Sequence, residues 1–174
     1  MQNGTIHAFE YDDATVGEEE MLEANNFKKV LIMAPHPDDE IIGCFQLLHR
    51  KEVKHVCFIT SEEEMYTSSK FFEFEIVPVE EVENTTWNAI FVPDPFERHP
   101  LHRKTWALGH QVSSKLGSRL GLYSTQMDAS YVDLLPEKLA KLKMEVLNKI
   151  YHRKSDMWKY EHKYWLYEGV VLRL

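Results

Sequence analysis

A chain of 174 residues, 44% hydrophobic and 28% charged, suits one compact globular domain with a core of its own. Its net charge of −8 speaks against nucleic-acid binding through phosphate neutralisation, and no apolar run approaches the ~20 residues of a membrane span. The two cysteines, Cys44 and Cys57, fall in apolar stretches and read as small buried residues of a reducing, cytoplasmic protein, not as a disulfide framework.

Residues 1–27 are acidic and lack both a sustained period and the basic start and apolar core of a signal peptide. An irregular lead-in is expected there, with a short strand near residues 6–9. Val30-Leu31-Ile32-Met33 is then a short apolar run, and Ile41, Ile42, Phe45, Leu48 and His49 follow with helical spacing. The pattern predicts a buried strand, a turn holding His36-Pro37-Asp38-Asp39-Glu40, and a helix ending near Lys51-Glu52. Residues 55–60 predict a second strand and complete a βαβ unit.

The polar residues 61–70 read as a loop, and residues 72–82 and 87–92 as two further strands with no normal-length helix before Trp87. A mixed or abbreviated sheet is therefore expected in this middle region. Pro100 suits the first turn of a helix running to about Leu116. A strand over residues 120–124, a helix over residues 136–151 with Leu139, Leu142, Val146, Leu147 and Ile150 on one face, and a final segment near residues 169–172 complete the reading. Together these elements predict a single α/β domain over residues 1–174, a Rossmann-like three-layer sandwich with a mostly parallel sheet.

Chemistry concentrates in two stretches, HPDDE and the Arg98–Arg103 run RHPLHR. Each follows a strand, and ligands of open α/β sheets bind at the carboxyl ends of strands. His36 and Asp39, three apart across a turn, can converge on one ion, with His102 as a third ligand. Two imidazoles and a carboxylate suit catalytic zinc, although iron(II), manganese and cobalt accept the same donors. Taken singly, HPDDE also reads as a turn in which Asp38 or Asp39 caps a helix, and His99 and His102 as surface histidines. Their joint occurrence favours a metal site. His110, two helical turns beyond His102, is read as structural. No Gly-rich phosphate loop or G-x-S-x-G elbow is present.

IMAPHPDDEIIGC resembles the AHPDDE signature of the LmbE-like, or PIG-L-type, N-acetylglucosaminyl deacetylases, which are zinc-dependent. Their second motif, HPDHR, is matched by His99-Pro100-Leu101-His102-Arg103. The resemblance covers residues 28–125 best. It implies Zn2+ held by His36, Asp39 and His102, with Asp38 as the general base towards the attacking water. His99 would stabilise the oxyanion, and Glu40 would support the first helical turn or a ligand.

Two departures stand out. Leu101 replaces an aspartate expected to orient His99, leaving Asp94 and Glu97 as candidate substitutes. The middle segment is short and holds no arginine between residues 61 and 87, so Arg98 and Arg103 become the nearest cations for an anionic substrate.

The expected activity is metal-dependent removal of an N-acyl group, an acetyl group above all, from an amino sugar or its conjugate. Alternatives are an amidase acting on a nucleoside or modified-base conjugate, and a metal- or partner-binding domain without turnover. The aromatic tail and the short middle also leave room for a second subunit, as in a homo-oligomer, to complete the cleft.

Overall fold

The computed structural model of the protein describes residues 29–126, 131–160 and 167–173. The lead-in over residues 1–27, with the strand expected near residues 6–9, lies outside the described residues. A seven-stranded sheet forms the centre, built from β1 (Val30–Ala34), β2 (His55–Phe58), β3 (Glu75–Ile76), β4 (Ala89–Pro93), β5 (Arg119–Ser124), β6 (Asp133–Leu134) and β7 (Tyr167–Arg173). The strand order is β3-β2-β1-β4-β5-β7-β6. All neighbours from β3 to β5 are parallel, whereas β7 is antiparallel to both β5 and β6. The expected α/β class with a mostly parallel sheet is what the chain adopts. The antiparallel part comes at the tail, not in the middle region where the sequence pointed to it.

Strand β1 explains the layering. All five of its residues are buried, and a strand turns successive side chains to opposite faces. Val30, Ile32 and Ala34 join one apolar cluster, with Ile41, Phe45 and Leu48 of helix α1 (Asp39–His49), Phe72 of α2 (Glu64–Phe72) and Val146, Leu147 and Ile150 of α4 (Glu137–Ile150). Leu31 and Met33 join another, with Val112 of α3 (Pro100–Leu116) and Trp87. Helices therefore cover both faces. A short helix, α5 (Ser155–Tyr160), follows a 3₁₀ turn over His152–Lys154.

Two elements differ from the sequence reading. Residues 61–70, expected as a loop, contribute most of α2, and the expected strand over residues 72–82 shrinks to the two residues of β3 followed by a 3₁₀ turn over Val79–Asn84. The buried residues of α2 are Glu64, Met65, Ser68 and Phe72. Their spacing is helical, but two of the four are polar, so no apolar stripe announces the helix.

Helix α1 is kinked at Cys44, whose backbone lies at φ −134°, ψ 26°. In an unbroken helix the amide of Gln46 would donate to the carbonyl of Ile42. Here the Gln46 amide donates to Glu168 Oε1 at 3.0 Å, and the Ile42 carbonyl accepts from Lys143 Nζ at 2.6 Å. Both side chains are sealed from solvent, 0% and 1% exposed, with Lys143 Nζ 3.6 Å from Glu168 Oε2. A buried ion pair is thus inserted at the kink, a recognised cause of helix bending. Just before it, Gly43 lets the helix lie against the ring of Tyr123: a Cβ there would stand 2.2 Å from Cδ2.

Candidate metal centre

The order β3-β2-β1-β4-β5 reverses direction between β1 and β4, and the crevice beyond the carboxyl ends of such a pair is where open α/β sheets bind ligands. The turn after β1 carries His36 and Asp38 and leads into Asp39 and Glu40 at the start of α1, and the turn after β4 carries Glu97 and His99 and leads into His102 in the first turn of α3. His36 and His102, 66 residues apart in sequence, thereby meet because their strands are hydrogen-bonded neighbours.

Three donor atoms converge. Asp39 Oδ2 lies 3.1 Å from His36 Nδ1 and 3.3 Å from His102 Nε2, and the two nitrogens are 3.4 Å apart. Donors bound tetrahedrally at zinc distances stand roughly 3.3–3.6 Å from one another. The triangle therefore fits an ion of that size to within a few tenths of an ångström, and its donor chemistry suits zinc or another divalent transition metal. His99 sits beside this triangle, its ring centroid 4.8 Å from that of His36 and 5.1 Å from that of His102. One donor atom from each of the three histidines lies within 4.8 Å of the others.

The side chains of this triangle are held from behind. His36 donates its backbone N–H to Asp39 Oδ2 at 2.9 Å, so the carboxylate stays in the turn instead of capping α1. His102 Nδ1 bonds Glu97 Oε2, which turns Nε2 towards the triangle. Glu97 is itself buried and accepts from the Thr125 backbone N–H at 2.6 Å and the Thr125 hydroxyl at 2.9 Å. A carboxylate behind a ligating imidazole fixes its orientation and raises its basicity. Although burial favours the neutral forms, bonds to His102 and His36 hold the Asp39 carboxyl well below the usual carboxylate range. Against the same cost of burial, Asp39 and Glu97 push His102 up to about 10. The carboxylates of Asp39 and Glu97 that favour a proton on His102 would also favour a bound cation there.

Asp38 occupies the junction of turn and helix with φ 129°, a conformation that costs a side-chain-bearing residue on the order of 1–3 kcal/mol. Its N–H donates to Glu40 Oε2 at 2.9 Å. Glu40 is completely buried, and its Oε1 accepts from Ser68 Oγ at 2.7 Å and Tyr151 OH at 2.5 Å. The Asp38 carboxylate makes no cap bond to α1; its Oδ2 lies 3.2 Å from Lys154 Nζ. Burial, and then the charge of Asp39, push the Asp38 carboxyl well above its ordinary value, with Lys154 opposing.

His99 has its own orienting bond. As N-cap of α3 it accepts the Leu101 N–H on Nδ1 at 3.2 Å. Neither proposed substitute for the missing aspartate serves it. Glu97 is committed to His102, while Asp94 accepts from the Phe96 N–H at 2.8 Å and from Tyr131 OH at 2.6 Å. Arg103, expected as a cation for substrate, donates instead to the carbonyls of Glu97 and Arg98 at 3.0 and 2.7 Å and so braces the loop. His110 is exposed, with its ring centroid 5.3 Å from that of Trp106. No sequence signal marked Glu97 as the support of His102, or Thr125, Ser68 and Lys154 as supports at all, because their partners are distant along the chain or set by turn geometry.

No family model matches the sequence, and no curated protein matches it. Solved structures do. N,N'-diacetylchitobiose deacetylase from Pyrococcus horikoshii superposes with a TM-score of 0.63 at 19% identity, over 86% of this chain and 85% of that one. The conserved protein TT1542 from Thermus thermophilus gives 0.59 at 15% identity, over 84% and 94%. The A40926 pseudoaglycone deacetylase Dbv21 gives 0.55 at 11% identity, over 78% and 86%. Two of these three are deacetylases by name, and the chain shares the α/β fold of all three. At these identities the likeness is one of fold. No described helix is long and apolar enough to cross a membrane.

Proposed function

We propose that the chain is a metal-dependent hydrolase that removes an N-acyl group, most simply an acetyl group from an amino sugar or its conjugate. The observation that carries this reading is the triangle of His36 Nδ1, Asp39 Oδ2 and His102 Nε2 with the Asp38 carboxylate one residue away. Two named structural neighbours are deacetylases, one of them acting on a diacetylated chitobiose by its name, which supports the choice of bond.

His36, Asp39 and His102 would hold the ion, Zn2+ as the resemblance to the deacetylase motifs implies. When bound there, such an ion supplies Lewis acidity, acidifying water and polarising an amide carbonyl. Asp38 takes a proton from the attacking water as its oxygen adds to the carbonyl carbon. It returns that proton to the nitrogen as the C–N bond breaks, so acetate and a free amine leave. The burial that raises the Asp38 pKa brings it closer to that of a group able to both take and give the proton.

His99 donates to the developing oxyanion. With Nδ1 accepting the Leu101 N–H, the neutral ring carries its proton on Nε2, and partial desolvation followed by the charges of His102 and His36 lower its pKa. Leu101 thus replaces the side-chain partner of the resembled motif with a backbone one, and His99 acts as a neutral donor. His99→Ala should lower kcat by ~10²-fold with metal content unchanged, as loss of one oxyanion donor does elsewhere. The reading is tested by acetate release from N-acetylglucosamine and N-acetylated disaccharides. Metal-loaded protein inert towards N-acetylated sugars and other N-acyl substrates alike would sink it.

A further inference from the structure

Residues Tyr151 and Lys154 lie on the turn that follows α4, more than a hundred residues from the HPDDE motif, yet both reach Asp38. Tyr151 OH donates to Glu40 Oε1, whose other oxygen accepts the Asp38 N–H. Lys154 Nζ lies 3.2 Å from Asp38 Oδ2, donates to the Pro37 carbonyl at 2.7 Å and stands 3.1 Å from Glu62 Oε2. It also lies 5.8 Å from the centroid of the Tyr151 ring. One turn therefore grips both the strained backbone of Asp38 and one oxygen of its carboxylate. Asp38, Asp39 and Glu40 are three consecutive buried carboxyl residues, and the ammonium group of Lys154 is the cation placed against the first of them.

We infer that Tyr151 and Lys154 are positioning residues of the reaction: they hold Asp38 in its left-handed backbone conformation with Oδ2 engaged, leaving Oδ1 to exchange the proton with water and leaving amine. This rests on the reading of Asp38 as the base. Lys154 also bridges to Glu62, two residues before α2, so the grip joins three segments around the mouth of the site. A base fixed in this way starts from the reactive geometry, and small misplacements of such a group are costly.

The test uses the full, metal-loaded chain. Lys154→Met keeps the side-chain stem over Tyr151 but removes the charge; it should lower kcat by ~10²-fold while KM moves by less than ~3-fold. Metal stoichiometry should stay at the wild-type level, and Lys154→Arg should restore most of the rate. Tyr151→Phe should give a smaller loss of the same kind, since Ser68 still holds Glu40. A readout independent of turnover is the melting temperature. Lys154→Met should shift it by different amounts in the wild type and in an Asp38→Asn background, because the two side chains are coupled. Additive shifts overturn the proposal, as does an unchanged kcat, a rate loss that tracks lost metal, or no rescue by arginine. A chain that binds metal but hydrolyses nothing defeats the hydrolase reading itself; an active wild type with an unaffected Lys154→Met defeats only this role.

Discussion

Asp38→Asn should lower N-acyl hydrolysis by ~10³-fold or more while leaving one metal ion per chain, in keeping with the loss of a positioned general base. Asparagine is the informative replacement because it keeps the volume and tolerates positive φ better than most residues, so the turn at φ 129° need not rearrange. The amide cannot take a proton from water, whereas His36, Asp39 and His102 keep their mutual contacts. Parallel steady-state kinetics and metal analysis check both halves of the claim. Retained hydrolysis would show that Asp38 is not the base. Loss of both rate and metal would show that Asp38 acts on the ligand set instead.

The second large effect lies outside the site, at the Lys143–Glu168 pair. Lys143→Met removes the donor to the Ile42 carbonyl and leaves the Glu168 carboxylate buried without its cation. Breaking a buried pair from one side costs ~3–5 kcal/mol, a fall on the order of 10 °C in melting temperature for a chain of this size. The loss should depend on pH. Burial pushes the Glu168 carboxyl up to about 7 even with Lys143 beside it, and without that charge the pKa rises further. A carboxyl whose folded pKa is raised favours the fold while protonated and loses that contribution as pH climbs through the folded value. The deficit of Lys143→Met relative to wild type should therefore be smallest below about pH 7, where both folded chains hold Glu168 protonated, and grow as pH rises from there towards the higher Glu168 pKa of the variant. A deficit independent of pH would mean that lost packing, not the stranded carboxylate, is responsible. Lys143→Met with Glu168→Gln should lose less than the sum of the single variants.

How far the sequence revealed this molecule depended on whether each element announced itself by local pattern. Strand β1 is uniformly apolar and α4 has a clean apolar face, so both were predicted. Helix α2 was missed because Ser68, which serves Glu40, and Glu64 occupy buried positions where apolar residues would mark the stripe. Strand β7 was recognised only as a packed segment, since its pairing with β5 depends on contacts across the chain. At the site, two short motifs after two strands sufficed to name His36, Asp39 and His102, and the structure brings them together. The supports were not legible. Glu97 was considered for the wrong histidine, because only the turn after β4 decides which imidazole its carboxylate reaches. The backbone N–H that serves His99 has no side-chain signature at all. The kink at Cys44 was equally hidden, because its cause is a lysine and a glutamate about a hundred residues away.

The central claim is that this crevice is a metal site, and metal content tests it most directly. The protein should be purified without added metal and analysed as wild type and as His36→Ala with His102→Ala. Wild type should carry close to one zinc per chain and the double variant essentially none, with both proteins folded. A folded wild-type chain that carries no metal and takes up none when zinc is supplied would contradict it, leaving HPDDE as a hydrogen-bonded turn at the head of a helix.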